Sequence, residues 1–175
     1  MSLSSWKNDL TNALKSNLPA RVVLLGIGNE LNGDDAAGVL AARRLKGLGL
    51  PDSWLVIEAG VGPEAYTGVL RRFQPGLVLL VDAAHMDEAP GTIRVVDCAA
   101  ASGFGGSTHT QPPSTLAEFL AADLGCRVLL VGIQPGQVDF DVPVTGAVLA
   151  AVEELVGVLA ESGPSSPAGT FQPSE

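Results

Sequence analysis

The chain has few basic residues and few cysteines, and each shortage excludes a class of protein. Ten Lys and Arg stand against 19 Asp and Glu, which gives a net charge of −9 at pH 7. A groove for nucleic acid needs a basic stripe, so we expect no nucleic-acid partner. The two cysteines, Cys98 and Cys126, form no CxxC pair, which argues against a structural zinc site or a disulfide framework. We expect both to serve as small apolar fillers.

The sequence also lacks the features of a membrane or secreted protein. Its longest apolar runs, such as residues 77–81 and 128–133, are far shorter than the ~20 residues needed to span a bilayer. The N-terminal stretch MSLSSWKNDL lacks the basic region and apolar core of a signal peptide. We therefore expect a cytoplasmic protein with no membrane partner, and a monomer.

What the sequence does contain is an alternation of strand and helix patterns. Residues 3–17 have the apolar spacing of a short amphipathic helix. Five strands are predicted, at 21–28, 54–60, 77–83, 92–97 and 127–133. Four further helices are predicted, at 35–46, 63–73, 114–123 (capped by Ser114) and 145–161. The strands are continuous apolar runs, which is typical of strands covered on both faces.

This alternation predicts an α/β fold, a three-layer α/β/α sandwich around a twisted, mostly parallel five-stranded sheet. Only about eight residues, 84–91, join the third strand to the fourth. A parallel crossover needs a dozen or more, so the fourth strand is predicted to be antiparallel. The expected organisation is an N-terminal helical extension (1–18), one domain (19–162) and a disordered, low-complexity tail (163–175).

Polar residues gather where the predicted strands end, and ligands of open α/β sheets bind beyond the carboxyl ends of strands. A long predicted loop, 98–113, is long enough to bring a histidine back over that edge. The candidates at these positions are Asn29, Glu30, Asp34, Asp35, Glu58, Asp82, His85 and His109.

The stretch 26-GIGNELNGDDAAG-38 admits three interpretations. Gly26 and Gly28 open a G-x-G-x-x-G dinucleotide motif, but Leu31 replaces its last glycine and two aspartates would oppose a pyrophosphate. Alternatively, Asp34 or Asp35 is simply a helix N-cap. The third interpretation is a metal site with one open position, formed by Asp35, Asp82 and His109; imidazole suits zinc, copper, iron or nickel. The G-x-S-x-G motif of serine hydrolases is absent.

Several blocks of the sequence, taken in their order along the chain, resemble the hydrogenase maturation endopeptidases, which process the large subunit of [NiFe] hydrogenases. The resemblance covers about residues 21–160, and its last two blocks are most similar to the branch that serves the formate hydrogenlyase-type hydrogenase (hydrogenase 3). The blocks are GIGNELNGDDAAG (26–38), IEAGVGPE (57–64), VLLVDAAHM (78–86), PGTIRVVD (90–97), THTQP (108–112) and VGIQP (131–135).

The resemblance implies an endopeptidase that removes the C-terminal extension of a [NiFe] hydrogenase large-subunit precursor after nickel insertion. It implies that Asp35, Asp82 and His109 are the metal-binding and catalytic residues, and that the precursor supplies the nickel. Cadmium or zinc is expected to substitute for nickel in crystals. Gly28, Asn29 and Glu58 are predicted to orient the substrate. The alternatives are a non-catalytic nickel-binding maturation chaperone and a nucleotide-binding α/β protein.

The chain departs from the family pattern at two positions. Ala36 stands where the family usually has glycine after the acidic pair, and Glu58-Ala59 replaces Asp-Gly at the end of the second strand. If the backbone needs a positive φ at position 36, an alanine there would be strained. We therefore expect Ala36 instead to begin the helix. Glu58 keeps the negative charge of the usual aspartate but reaches farther.

Overall fold

A five-stranded mixed sheet forms the centre of the computed structural model, which describes residues 5–16, 21–98 and 113–163. Its strands are β1 (Val22–Ile27), β2 (Trp54–Gly60), β3 (Leu77–Ala83), β4 (Ile93–Asp97) and β5 (Arg127–Ile133). In space their order is β2-β1-β3-β5-β4. In this spatial order the strands β2, β1, β3 and β5 are parallel to one another, whereas β4 pairs antiparallel with β5. The connection between β3 and β4 is short, and β4 is antiparallel to the other strands, as that length predicts.

Helices cover both faces of the sheet, as the apolar strands predict. They are α1 (Ser5–Ser16), α2 (Ala37–Lys46), α3 (Thr67–Phe73), α4 (Pro113–Leu124) and α5 (Gly146–Ser162), with 3₁₀ segments at Gly33–Ala36 and Pro63–Tyr66. One apolar cluster joins α1, α2 and α5 to the sheet, and a second joins α3 and α4 to the opposite face. Alternate residues of β1 divide between the clusters, as the two-residue period of a strand requires. The three-layer α/β/α prediction is confirmed.

Several predicted helix boundaries shift. The helix predicted from Pro63 is a 3₁₀ segment as far as Tyr66, and α3 itself begins at Thr67. The second helix was predicted from Asp35, but a 3₁₀ segment comes first and α2 begins at Ala37. Ala36 was expected to begin the helix, but it is the last residue of the 3₁₀ segment and the N-cap residue of α2, with an unstrained φ of −72° and ψ of −7°. Ser114 was predicted as a cap, yet α4 already begins at Pro113. Thr145, predicted as the first residue of the last helix, is instead its N-cap residue.

Three predictions fall partly or wholly outside the described residues. They concern the loop that carries His109, the extreme N-terminus and the tail beyond residue 163, and they stay predictions. Within the described ranges, no helix combines the length and apolarity needed to cross a bilayer.

Both cysteines pack as the small apolar fillers that the sequence predicts. Cys98 and Cys126 are free thiols, partly buried against the cluster beneath α3 and α4. Burial raises the pKa of both thiols, and the carboxylates of Glu118 and Asp97 add to the effect at Cys98. A raised pKa leaves little thiolate at neutral pH, so neither thiol has the properties of a nucleophile.

Candidate functional site

The strand order creates a crevice between the carboxyl ends of β1 and β3. From β1 the chain crosses to β2 on one side, whereas from β3 it continues to β4 and β5 on the other. Such a topological switch point is where open α/β sheets bind ligands. Asp35 follows β1 and Asp82 lies in β3; both are buried, with 3% and 4% of their surfaces exposed. The 3₁₀ segment that carries Asp35 contacts β3, so the fold brings the two predicted acids to one crevice.

Glycines at the crevice allow α2 to lie directly on the two strands. A Cβ atom at Gly38 would stand 2.1 Å from the carbonyl oxygen of Val81 and 2.3 Å from that of Ile27. A Cβ atom at Gly26 would stand 2.2 Å from the carbonyl oxygen of Gly38. The backbone of α2 therefore packs directly on the strands, with no room for a side chain between them. The glycines that resemble a phosphate loop therefore serve close packing, and the packing holds the acidic 3₁₀ segment over the strand ends.

The turn after β1 is wrapped around Asp35. Gly28 has φ +146°, and a Cβ atom there would lie 1.9 Å from the main-chain oxygen of Asp35, so only glycine fits. The amide of Asn29 donates to Asp35 Oδ2 at 3.1 Å. The side chain of Asn29 accepts from the Leu31 amide at 3.0 Å, which closes a local turn. Gly28 and Asn29 thus shape the surroundings of Asp35, and their predicted contact with substrate stays a prediction.

Asp34, the neighbouring acid, is committed to a different task. Its Oδ2 accepts from the amides of Gly136 and Gln137 at 2.8 and 3.0 Å and from the Thr145 hydroxyl at 2.8 Å. Its Oδ1 accepts from the Thr145 amide at 2.6 Å. Burial acts to raise the pKa of Asp34, but these hydrogen bonds outweigh it and lower the pKa below its usual range. Asp34 therefore anchors the loop between β5 and α5 as a carboxylate.

The N-cap interpretation of the acidic pair is wrong. Asn32 is the N-cap residue of the 3₁₀ segment and Ala36 that of α2, and neither makes a capping hydrogen bond through its side chain. The two aspartates instead bond outside their own helix, Asp34 to the loop after β5 and Asp35 to the turn after β1. Each aspartate thus holds a loop rather than capping a helix.

Gln134, a residue that sequence reasoning missed, organises the chain beyond Asp82. It is buried, and its Oε1 accepts from the amides of Met86 and Glu88 at 2.7 and 3.4 Å. The turn after β3 is thereby tied to the end of β5. The available signal was an amide side chain directly after an apolar strand, within the VGIQP block. His85 in the same turn is exposed.

Glu58, predicted to orient substrate, faces α2. Its Oε2 accepts from Arg43 Nη2 and Nε at 2.8 and 3.0 Å, and its Oε1 lies 3.6 Å from Lys46 Nζ. Arg43 also donates to Glu30 at 2.7 Å, and the hydrogen bonds that it donates to these two carboxylates raise the pKa of the guanidinium. Glu58 thus joins β2 to α2, and its predicted role toward substrate stays a prediction.

Two of the three predicted metal ligands lie within the described residues. Asp35 and Asp82 supply oxygen donors, whereas His109 lies outside the described ranges. Within those ranges, no group of three or more His, Cys, Asp or Glu side chains is placed to hold a metal ion. The described donor set is a buried carboxylate pair, which fits a cation and opposes an anion such as a pyrophosphate.

Comparison with known proteins identifies the family of this chain. The model of the HycI hydrogenase maturation protease family matches residues 39–162. The chain belongs to this family. The hydrogenase 3 maturation protease of Escherichia coli is 39% identical over 134 residues, covering 76% of this chain and 85% of the relative. A putative hydrogenase maturation protease of Methanocaldococcus jannaschii is 31% identical over 149 residues, covering 81% and 87%.

A solved structure extends the similarity to three dimensions. The [NiFe] hydrogenase maturation protease HycI from Thermococcus kodakarensis superposes with a TM-score of 0.79 at 33% identity. The match covers 88% of this chain and 97% of that one. The resemblance inferred from the sequence blocks is confirmed, and with it the prediction of a hydrogenase maturation protease, a hydrolase of peptide bonds.

Proposed function

We propose that this member of the hydrogenase maturation protease family removes the C-terminal extension of a [NiFe] hydrogenase large-subunit precursor after nickel has been inserted. The observation that carries the proposal is the burial of two carboxylates at the switch point, Asp35 in the 3₁₀ segment that follows β1 and Asp82 in β3. The nickel arrives with the precursor as part of the substrate. Asp35, Asp82 and His109 would bind it and thereby fix the position of the scissile peptide.

The two carboxylates suit this task because of where the fold holds them. Both are withdrawn from solvent, and electrostatic attraction to a cation is stronger there than in bulk water. Asp35 is oriented by the Asn29 amide. Hydrolysis requires a nucleophilic water, which is generated either at the metal or by a carboxylate that acts as general base. In both routes the side chains of Asp35 and Asp82 must be ionised.

Substitution of the carboxylates tests the proposal. Asp35→Asn and Asp82→Asn each keep the shape of the side chain and remove its charge, so cleavage of nickel-loaded precursor should fall by about 100-fold or more. His109→Ala should have a similar effect. The loss of mass from the precursor, followed by mass spectrometry, measures cleavage. Asp52→Asn, in an exposed turn at the opposite edge of the sheet, is the matched control.

The same assay separates the competing functions. A nickel-loaded precursor that is cleaved, beside a metal-free precursor that is not, supports the endopeptidase. Binding of the precursor without loss of mass supports the nickel-binding chaperone. Normal cleavage by Asp35→Asn or Asp82→Asn would show that the site is wrongly assigned.

A further inference from the structure

Exposed apolar side chains are concentrated at the edge of the sheet that carries the site. Within the described residues five large apolar side chains are exposed: Leu31, Leu48, Val61, Phe119 and Phe140. Three of these, Leu31, Val61 and Phe140, lie in loops that follow the carboxyl ends of β1, β2 and β5. Exposed apolar groups gathered on one face of a protein commonly mark an interaction surface.

The exposure of Phe140 is imposed by a tightly held loop. Phe140 is 74% exposed, the highest value of the five, and Leu31 is 61% exposed. Next to Phe140, Asp141 has φ +56° and its amide donates to the carbonyl oxygen of Leu31 at 2.8 Å. The same loop is anchored by the hydrogen bonds to Asp34. The loops after β1 and β5 therefore present Leu31 and Phe140 together.

Negative charge surrounds these two side chains. Residues 28–36, 61–66, 84–92 and 134–145, which form the described loops of this edge, contain no Lys or Arg. The exposed acids of these loops are Glu30, Glu64, Asp87, Glu88, Asp139 and Asp141. Glu30 and Glu88 are paired with Arg43 and Arg94, but Asp139 and Asp141 flank Phe140 directly along the chain.

We propose that Leu31, Asp139, Phe140 and Asp141 form a docking surface, the acidic–apolar rim, for the large-subunit precursor. The inference rests on the proposed function, and it specifies the chemistry of the partner. The precursor must offer an apolar contact for Phe140 and Leu31 beside Lys or Arg side chains for the two aspartates. Complementary charge accelerates and orients such an encounter, while the buried aromatic contact retains the complex.

A second copy of this chain fits the rim poorly. Each chain has a net charge of −9, and a two-fold contact would place the same acidic patch of both copies face to face. Like charges brought together in this way oppose association. A basic and apolar partner has the complementary charge.

Paired variants test the apolar part of the rim. Phe140→Ser should raise the Kd for nickel-loaded precursor about 10-fold or more, because a buried phenylalanine contact is worth at least that factor. Leu31→Ser should weaken binding in the same direction. Phe119→Ser on α4 and Leu48→Ser after α2 remove side chains that are 47% and 56% exposed but lie away from the edge, and they should leave Kd unchanged. Isothermal titration calorimetry with the full chain measures all four.

Salt dependence tests the acidic part. The double variant Asp139→Asn/Asp141→Asn should slow association, and it should flatten the decline of the association rate between 50 and 300 mM salt, concentrations at which charge screening strengthens. Cleavage at saturating precursor should keep the wild-type rate in all rim variants, since none of these side chains belongs to the catalytic site.

The outcomes distinguish this inference from the proposed function. Wild-type cleavage with an unchanged Kd for Phe140→Ser would overturn the rim and leave the endopeptidase intact. Binding that depends on the rim without any cleavage would support the rim and refute the endopeptidase. A wild-type chain that does not bind the precursor refutes both, and a change of oligomeric state in Phe140→Ser would identify a self-contact and overturn the rim.

Discussion

Two adjacent aspartates have separate tasks in this protein. Asp34 receives four hydrogen bonds from the loop after β5 and has a lowered pKa, which marks a carboxylate used to hold structure. Asp35 is buried at the switch point and bonds to the turn after β1. The sequence left open whether either acid is a helix N-cap or part of a site. The sequence did not indicate that Asp34 is held by the loop after β5, because the partners of Asp34 lie about a hundred residues away along the chain.

Replacement of Asp34 by Asn should destabilise the fold. An amide keeps one oxygen for Gly136, Gln137 and the Thr145 hydroxyl, but its NH2 group then faces the Thr145 amide. The cost should be about 2 kcal/mol or more of unfolding free energy at pH 7, measured by urea denaturation. Asp52→Asn, in an exposed turn, should change the unfolding free energy by less than about 0.5 kcal/mol. A loss in Asp34→Asn no larger than that in Asp52→Asn would contradict the structural role of Asp34.

The effect of Asp34→Asn should depend on pH in a defined direction. A lowered folded-state pKa means that the carboxylate stabilises the fold above the unfolded pKa of about 3.9 and that the contribution is lost as pH falls through the folded pKa. The stability gap between wild type and Asp34→Asn should therefore be constant near neutrality and narrow below about pH 4. A gap that widens in acid would refute the assignment.

At the scale of elements, α2 is positioned by glycines on both sides of its contact with the sheet. Gly26 in β1 and Gly38 in α2 meet backbone to backbone, which places the helix closer to the strands than larger residues would permit. The strands, helices and antiparallel β4 were predictable, because apolar periodicity and connection length are local properties of the sequence. The contact between Gly26 and Gly38 was not, because a glycine required for packing looks the same in sequence as one required by a phosphate.

Gly38→Ala should be far more disruptive than the same change in another helix. Its new methyl group would overlap the carbonyl oxygens of Val81 and Ile27, so we expect a loss of about 3 kcal/mol or more in unfolding free energy. Gly157→Ala in α5 meets no atom within 4 Å and should stabilise the fold by about 0.5–1 kcal/mol. Thermal unfolding of both variants measures the contrast. Similar melting temperatures would mean that α2 does not rest on the strands as described.

At the scale of the whole molecule, charged and exposed apolar side chains are distributed unevenly between the carboxyl ends and the amino ends of the strands. The described loops at the carboxyl edge carry acids and exposed apolar groups without Lys or Arg, whereas Arg21, Arg71 and Arg127 lie toward the amino edge or on the layer of α3. Net charge was readable from composition, but its placement depends on the strand directions. The strand order, and hence the placement of Asp35 and Asp82 at one crevice, likewise emerges only from the assembled sheet.

The N-terminal helix should unfold together with the rest of the molecule. Within the helical extension predicted at residues 1–18, Leu10, Ala13 and Leu14 of α1 are buried in the cluster shared with α2 and α5. Leu14→Ala should therefore lower the unfolding free energy by about 2–5 kcal/mol in a single transition, measured by urea denaturation. Leu48→Ala, which truncates an exposed leucine, should change it by less than about 0.5 kcal/mol. If Leu14→Ala instead left the main transition unchanged, α1 would be an independent appendage, and the cluster it shares with α5 would contribute nothing to the stability of the domain.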